Sequence, residues 1–305
     1  MNALKLSVSP HIHSGRSTRR IMLDVLIALL PATAAGAVIF GLRSLLVVAV
    51  TVAACVGFEA LFNLLAKKPI PVGDFSAAVT GLLLALNLPA NVPLWQCVVG
   101  ALFAMVVVKG LFGGLGANPV NPAITARVFM LVAFSTLTKA AFPVDSVSSA
   151  TPLASEEATS LMDLFLGNHG GAIGETCAAA LLLGGLYLLV RRVITWQIPV
   201  AFVGTVFLTS FLMEGMDATA ALAAILSGGL LIGAIFMATD YVSSPATPWG
   251  KIIFGLGAGL VTFLIRYFGV YPEGVSFAIL LMNILTPYVN SWTKRKVFGI
   301  GGTKA

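Results

Sequence analysis

Long, almost uncharged apolar segments recur along the chain, and they constrain its fold more than any other feature. Crossing the ~30 Å hydrocarbon core of a membrane takes about 20 helical residues. Lipid offers the backbone no hydrogen-bond partner, so a spanning segment must satisfy its own peptide groups as a helix. We therefore predict an all-α polytopic membrane protein with about ten transmembrane helices. The predicted spans are residues 21–40, 44–66, 75–88, 94–109, 123–138, 175–190, 197–213, 218–239, 251–268 and 274–290.

The composition excludes an ordinary soluble domain. Hydrophobic residues make up 58% of the chain and charged residues 10%, with a mean hydropathy of +0.98. Soluble domains carry roughly 25% charged residues, which they need to cover their surface in water. The chain is therefore expected in a lipid bilayer.

The positive charges concentrate at one end of the predicted spans. With the N-terminus in the cytoplasm, 14 of the 18 Lys and Arg residues fall at inner ends, while Arg43, Lys139 and Arg266 fall at outer ends. This is the positive-inside pattern of membrane proteins, and it predicts that both termini are cytoplasmic. The net charge of +6 is then a signal of topology, and no nucleic-acid partner is expected.

Breaks rich in Gly and Pro recur in the same order in both halves of the chain. The break GLLLALNLPANVPLW at 81–95 resembles the one at 229–249, and GLFGGLGANPVNPAITAR at 110–127 resembles the one at 269–280. The paired breaks lie about five spans apart. Since five is odd, two such halves would lie in opposite orientation, as in transporters built from inverted repeats with broken helices. The alternative is that Gly and Pro are simply frequent in membrane helices.

This organisation divides the chain into five parts. They are a cytoplasmic N-terminal tail (1–20), a first five-helix repeat (21–138), an extracytoplasmic loop (139–174), a second five-helix repeat (175–290) and a cytoplasmic C-terminal tail (291–305). The inverted arrangement resembles that of urea-transporter-like proteins.

Ionisable residues at membrane depth are candidate functional groups because burying their charge is costly. Asp240 is the strongest candidate, since it ends a span and precedes two prolines that leave backbone carbonyls free. Such an oxygen-rich, partly unwound site suits Na⁺ or H⁺. Its expected oxygen neighbours are Thr239, Ser243, Ser244 and Thr247, and the weaker candidates are Asp24, Glu59 and Asp74. Arg127 is expected to pair with one of these acids or with an anionic ligand. The alternative for all of them is structural pairing inside the helix bundle.

The outer loop carries a short element that suits covalent modification. Ser148, Ser149 and Ala150 keep the chain slim enough to enter another enzyme's active site. Thr151 offers a hydroxyl, and Pro152 restricts Thr151 to an extended conformation.

Five sequence runs resemble the RnfD/NqrB family. This family comprises the D subunit of the Rnf ion-translocating electron-transport complex and the B subunit of the Na⁺-pumping NADH:quinone reductase. The runs are SPHIHSGRSTRRIMLDVLIALLPA, GLLLALNLP, GGLGANPVNPA, FMATDYVSSPATPWGKIIFG and YPEGVSFAILLMN. They follow one another in order and extend over nearly the whole chain.

The resemblance implies a covalent flavin. In that family, FMN is attached by a phosphoester bond to the threonine of an Asp-x-x-Ser-Gly-Ala-Thr element, and a separate flavin transferase installs it. The element is similar to residues 145–151, so Thr151 resembles the modified residue and Asp145 the leading acid. Ser149 stands where the family usually has Gly, which puts the strength of transferase recognition in doubt. The family also suggests a second, non-covalent flavin (riboflavin) in the membrane part, and no motif identifies its residues.

The resemblance further implies a subunit that relays electrons between ferredoxin and NAD⁺ and contributes to Na⁺ or H⁺ translocation across a prokaryotic inner membrane. Its partners would be the A, B, C, E and G subunits of the Rnf complex. In keeping with a relay, the chain has no GxGxxG fingerprint and only three scattered cysteines, too few for an iron–sulfur cluster. Two alternatives stay open: a channel or facilitator for a small solute or cation, and a structural subunit that has lost its flavin.

Overall fold

The computed structural model describes residues 17–134, 160–269 and 274–294. All regular secondary structure in these residues is helical, without a β-strand, which confirms the all-α prediction. A helix occupies most of each predicted span.

The first half contains five of these helices. They are α1 (Thr18–Phe40), α2 (Leu42–Leu65), α3 (Ser76–Leu86), α4 (Leu94–Leu102), which continues as a π-helix (Phe103–Gly110), and α5 (Pro122–Ala133).

The second part begins with a short helix that the sequence did not predict. Its helices are α6 (Leu161–Leu166), α7 (Ala178–Val190), α8 (Gln197–Met213), α9 (Ala218–Leu226), α10 (Leu230–Ile232), which continues as a π-helix (Gly233–Met237), α11 (Pro248–Phe268) and α12 (Val275–Trp292).

Several helices are long and apolar enough to cross a membrane. Within the described residues, α1, α2, α11 and α12 meet this requirement by length and composition. Helix α9 and the segment Leu230–Met237 meet it together, with a bend of 67° between them, so they form either one broken span or a re-entrant loop. The chain is therefore a membrane protein, in which shorter apolar helices accompany the long ones.

Helices α5 and α11 both begin with a polar capping residue followed by proline. At α5, the side chain of Asn121 accepts a hydrogen bond from the Ala123 N–H at 3.0 Å, and Pro122 occupies the first helical position. At α11, the Thr247 hydroxyl accepts from the Gly250 N–H at 3.1 Å, and a proline again comes first. A polar cap followed by Pro is a strong helix start, since Pro lacks the N–H that would stay unpaired there. The predicted breaks at NPVNPA and ATPW are thus confirmed as helix boundaries.

Helices α1 and α7 lie antiparallel and very close together. The Arg191 guanidinium at the end of α7 donates to the Asp24 carboxylate near the start of α1, at 3.2 Å. Midway along, Gly184 of α7 faces the Ala28 carbonyl oxygen of α1 so closely that a Cβ there would lie 2.1 Å from that oxygen. The small residue lets the two backbones approach, as is common between membrane helices.

The breaks after α3 and after α10 make corresponding contacts. The Arg43 guanidinium in the first turn of α2 donates to the Ala90 carbonyl, at 3.0 Å. The Tyr241 hydroxyl donates to the Val193 carbonyl in the α7–α8 turn. The break after α3 thus lies against the start of α2, and the break after α10 lies against the α7–α8 turn.

The final part of the predicted outer loop is buried. The N–H groups of Ile173 and Gly174 donate to the carbonyls of Leu88 and Leu86, at 3.1 and 2.7 Å. This segment therefore satisfies carbonyls that the end of α3 leaves without a helical partner. The loop is not uniformly solvent-exposed over 139–174, because its last residues enter the helix bundle.

We predict that Gly184→Ala destabilises the protein, because the added methyl group meets backbone oxygen that cannot rotate away. Overpacking of this kind costs about 1–3 kcal/mol. The matched control is Gly204→Ala in α8, where a Cβ meets nothing within 4 Å. Thermal unfolding of the detergent-purified variants should show a lower midpoint for Gly184→Ala alone. Equal midpoints would contradict the close approach of α1 and α7.

Candidate functional site

The ends of broken helices meet in a buried junction. The Asn121 amide at the start of α5 donates to the carbonyl of Met237, the last residue of the second π-helix, at 3.1 Å. The Asn283 amide of α12 lies between the Asn121 N–H (3.1 Å) and the Ser243 carbonyl (3.2 Å). These neighbours assign its oxygen to accept from Asn121 and its nitrogen to donate to Ser243. The Thr286 hydroxyl of α12 donates to the same Ser243 carbonyl at 2.9 Å. Side chains from two helices thus satisfy carbonyls that the unwound segment after α10 exposes.

Asp240 lies in that unwound segment. Its carboxylate accepts a hydrogen bond from the Ser243 hydroxyl at 2.8 Å, and its own carbonyl accepts from the Ser244 N–H at 3.1 Å. The hydroxyl of Thr239 donates to a helix carbonyl, and that of Thr247 caps α11. Of the predicted oxygen neighbours, Ser243 is the one whose side chain hydrogen-bonds the carboxylate.

A cavity of about 390 Å³ opens beside Asp240, which is half-buried in its wall. The cavity lies among the starts of α1, α3 and α5 and the end of α7. Its apolar wall includes Met22, Leu83 and Phe236, and Thr80 and Asn118 add polar groups. Apolar walls with a few convergent polar groups are typical of small-molecule sites, and the volume falls at the lower end of their usual range of about 300–1,000 Å³.

A buried charge cluster forms one edge of this cavity. The Lys109 ammonium lies 2.6 Å from the Glu59 carboxylate and 2.6 Å from the Ser76 hydroxyl. The Ser76 hydroxyl in turn donates to the Asp74 carboxylate at 2.6 Å. The network therefore joins two of the predicted acids, Glu59 and Asp74, through a lysine that the sequence placed only among the inner positive charges.

A second cavity, of about 210 Å³, lies on the other side of the cluster. Glu59 and Lys68 line it, and Lys109 and Leu115 line both cavities. The cluster therefore stands in the wall between the two spaces.

Arg127 pairs with an acid that the sequence did not propose for it. Its guanidinium donates to the Glu175 carboxylate at 2.7 Å and to the Asn87 side-chain oxygen. All three side chains are buried, and a Cβ at Gly229 would lie 2.6 Å from the Glu175 carboxylate. The hydrogen bonds of Arg127 to Asn87 and Glu175 therefore connect α5 to the end of α3 and to the segment before α7.

Asp24 takes part in structural pairing, which is the alternative to a functional role. Besides Arg191, the Tyr187 hydroxyl donates to its carboxylate at 3.0 Å. Asp24 thus holds α1 against α7.

The flavin-attachment element lies outside the described residues. This concerns Asp145, Ser148, Ser149, Ala150, Thr151 and Pro152, so the assignment of Thr151 stays a prediction from the sequence.

Sequence reasoning missed the amides and the lysine that organise the interior. Asn87, Asn121 and Asn283 are all buried and hydrogen-bonded. A usable signal did exist for Lys109, because it follows the apolar run FAMVVV at a depth where a positive charge needs a partner.

Comparison with known proteins identifies the family. A sequence model of the NQR2, RnfD, RnfE family matches residues 5–299. The chain is 48% identical to the D subunit of the Na⁺-translocating ferredoxin:NAD⁺ oxidoreductase complex of Acetobacterium woodii, over 98% of this chain and 97% of that protein. It is 40% identical to the D subunit of the proton-translocating ferredoxin:NAD⁺ oxidoreductase complex of Clostridium ljungdahlii, over 98% and 97%. It is 35% identical to the D subunit of the ion-translocating oxidoreductase complex of Haemophilus influenzae, over 97% and 98%. The chain therefore belongs to the NQR2, RnfD, RnfE family.

Proposed function

We propose that this chain is the membrane-embedded D subunit of an ion-translocating ferredoxin:NAD⁺ oxidoreductase complex. The observation that carries this proposal is its 48% identity to such a protein across nearly the whole length of both chains. On this proposal the chain has no catalytic activity alone, and it works as one relay beside the A, B, C, E and G subunits.

The relay is covalently bound FMN on Thr151. The support for it is the match of residues 145–151 to the family's flavinylation element, from which the chain departs at Ser149. A flavin transferase attaches the FMN, and the flavin supplies the redox chemistry when bound. The chain's own part is to present the Thr151 hydroxyl at the extracytoplasmic face.

The proposed topology is ten spans in two inverted five-helix repeats, in a prokaryotic inner membrane with both termini cytoplasmic. Three observations support it: the antiparallel packing of α1 against α7, the corresponding contacts of Arg43 and Tyr241 at the two breaks, and the excess of positive charge at the inner ends. Helix α3 then ends, and helix α5 begins, inside the protein. Backbone N–H groups of Ile173 and Gly174 satisfy the end of α3, and the Asn121 side chain satisfies the start of α5.

A second, non-covalent flavin such as riboflavin is proposed for the cavity beside Asp240. The volume of about 390 Å³ and the mixture of apolar wall and polar rim suit a planar heteroaromatic ring. The apolar side chains of Leu83 and Phe236 and the polar side chain of Asn118, all in the cavity wall, would hold it.

The proposed ion path uses Asp240 with Thr239, both in the wall of that cavity. Asp74 is linked to the wall of that cavity through Ser76, whose hydroxyl donates to its carboxylate. The ion pair of Asp24 with Arg191 favours a role in positioning α1. The relatives named above include one called Na⁺-translocating and one called proton-translocating, so transport assays should follow both ions.

We predict that Thr151 becomes flavinylated when the chain is produced together with an active flavin transferase. The denatured wild-type band should fluoresce under ultraviolet light, because the phosphoester bond survives denaturation, and the Thr151→Ala band should be dark. Thr247→Ala is the matched control, since Thr247 also follows Ala and precedes Pro but caps α11. Ser149→Gly should label at least as fully as wild type. A dark wild-type band beside a fluorescent known substrate of the transferase would refute the covalent flavin.

We predict that Asp240→Asn weakens ion coupling in the assembled complex. Losing one charged oxygen ligand costs about 1.5–3 kcal/mol, which corresponds to a rise of roughly tenfold or more in the cation concentration at half-maximal transport. The readout is Na⁺ or H⁺ uptake by proteoliposomes during ferredoxin oxidation, with Thr151 still flavinylated. Asp217→Asn is the matched control, since that exposed acid caps α9. Unchanged transport in Asp240→Asn would remove this residue from the path.

A further inference from the structure

The cluster in the wall between the two cavities combines an internal cation with an incompletely satisfied carboxylate. The π-helical turn that ends α4 carries Lys109, whose ammonium lies 2.6 Å from the first carboxylate oxygen of Glu59. The two side chains are 5% and 4% exposed. π-Helical turns are rare, and they frequently occur at functional sites.

The second carboxylate oxygen of Glu59 receives no hydrogen bond from the described residues, although it is buried. Glu59 also lines the 210 Å³ cavity. A buried carboxylate normally has both oxygens satisfied, because desolvation without a partner is costly. This oxygen therefore has the capacity to accept a ligand from the second cavity.

We propose that Glu59 and the Ser76 hydroxyl form an alkali-cation site that the Lys109 ammonium occupies as a tethered substitute. Carboxylate and hydroxyl oxygens are hard ligands that suit a small cation such as Na⁺. The ammonium carries the same single positive charge as Na⁺. Exchanging one for the other at Glu59 keeps that carboxylate paired with a single positive charge, which avoids leaving it uncompensated.

The Asp74 carboxylate offers the displaced ammonium a second negative partner in the same cluster. The Ser76 hydroxyl already bridges Lys109 to the half-buried Asp74, with distances of 2.6 Å on each side. The lysine stem is flexible, so the ammonium can move along this bridge from Glu59 to Asp74. When it does, Glu59 faces both cavities, and a cation can pass from the second cavity toward the cavity of Asp240.

This inference rests on the proposed ion translocation and adds a second, separate residue set to it. Asp240 lies in the unwound segment after α10, whereas Glu59, Ser76 and Lys109 belong to α2, α3 and the end of α4. Lys109 acts here as a gate that competes with the transported ion.

The first experiment asks whether removing the tethered ammonium leaves a cation site. The thermal midpoint of the purified complex is measured in NaCl and in choline chloride at equal ionic strength. For Lys109→Met we expect a midpoint lowered by roughly 5–10 °C in choline and restored by Na⁺. The double variant Lys109→Met, Glu59→Gln should show no such response to Na⁺. A Lys109→Met midpoint that is equal in both salts would overturn the proposal.

The second experiment keeps the cluster charged, so it remains informative if Lys109→Met does not assemble. In Lys109→Arg the planar guanidinium holds the carboxylate through two hydrogen bonds and leaves it less readily. We expect ²²Na⁺ uptake by proteoliposomes to fall about tenfold, with Thr151 flavinylation unchanged. Uptake by Lys109→Arg at the wild-type rate would overturn the gate.

The failures of the two proposals are distinguishable. A wild-type complex that takes up neither Na⁺ nor H⁺ during ferredoxin oxidation would refute the proposed function itself. Ion uptake in wild type that persists unchanged in Lys109→Arg would refute the gate alone.

Discussion

The structure depends on one constraint: a membrane interior contains no water to satisfy backbone groups freed by a broken helix. The chain breaks several helices and then supplies the missing partners from other helices. Asn121 and Asn283 provide amides, and Thr286 a hydroxyl, for carbonyls in the segment after α10. The segment before α7 does the same with backbone N–H groups for the end of α3. The cavity beside Asp240 exists because these ends are held apart rather than packed into continuous helices.

The same constraint accounts for how the charges are arranged. Two buried cations each lie on a carboxylate, Lys109 on Glu59 and Arg127 on Glu175. Removing one partner of a buried pair typically costs about 3–5 kcal/mol, because the remaining charge is left without compensation. These pairs also join different parts of the chain, so they fix the breaks in place. In the proposed exchange, a cation that binds Glu59 takes the place of the Lys109 ammonium there, so that carboxylate is never left without a positive partner.

The sequence predicted the features of the fold that depend on a local residue pattern. The apolar segments located the helices, and the Gly- and Pro-rich breaks marked the boundaries before α5 and α11, because length, hydropathy and capping act over a few residues. It did not predict the Arg127–Glu175 pair, whose members lie 48 residues apart and meet only through packing. It did not predict the partner of Lys109 either, since Glu59 lies 50 residues away in the sequence and meets it only through packing. The flavin threonine came from a family motif and stays a prediction.

The central claim is that two similar halves lie in the membrane in opposite orientation. Labelling of single cysteines with a membrane-impermeant maleimide tests it most directly, in a chain whose three native cysteines are replaced. The chosen positions are exposed: Asn91 and Lys68 in the first half, Gly215 and Thr195 in the second. With the halves inverted, we expect cysteines at 91 and 215 to react in intact cells, and those at 68 and 195 to react only after permeabilisation. Labelling of position 195 in intact cells, with 215 protected, would give both halves the same orientation and contradict the claim.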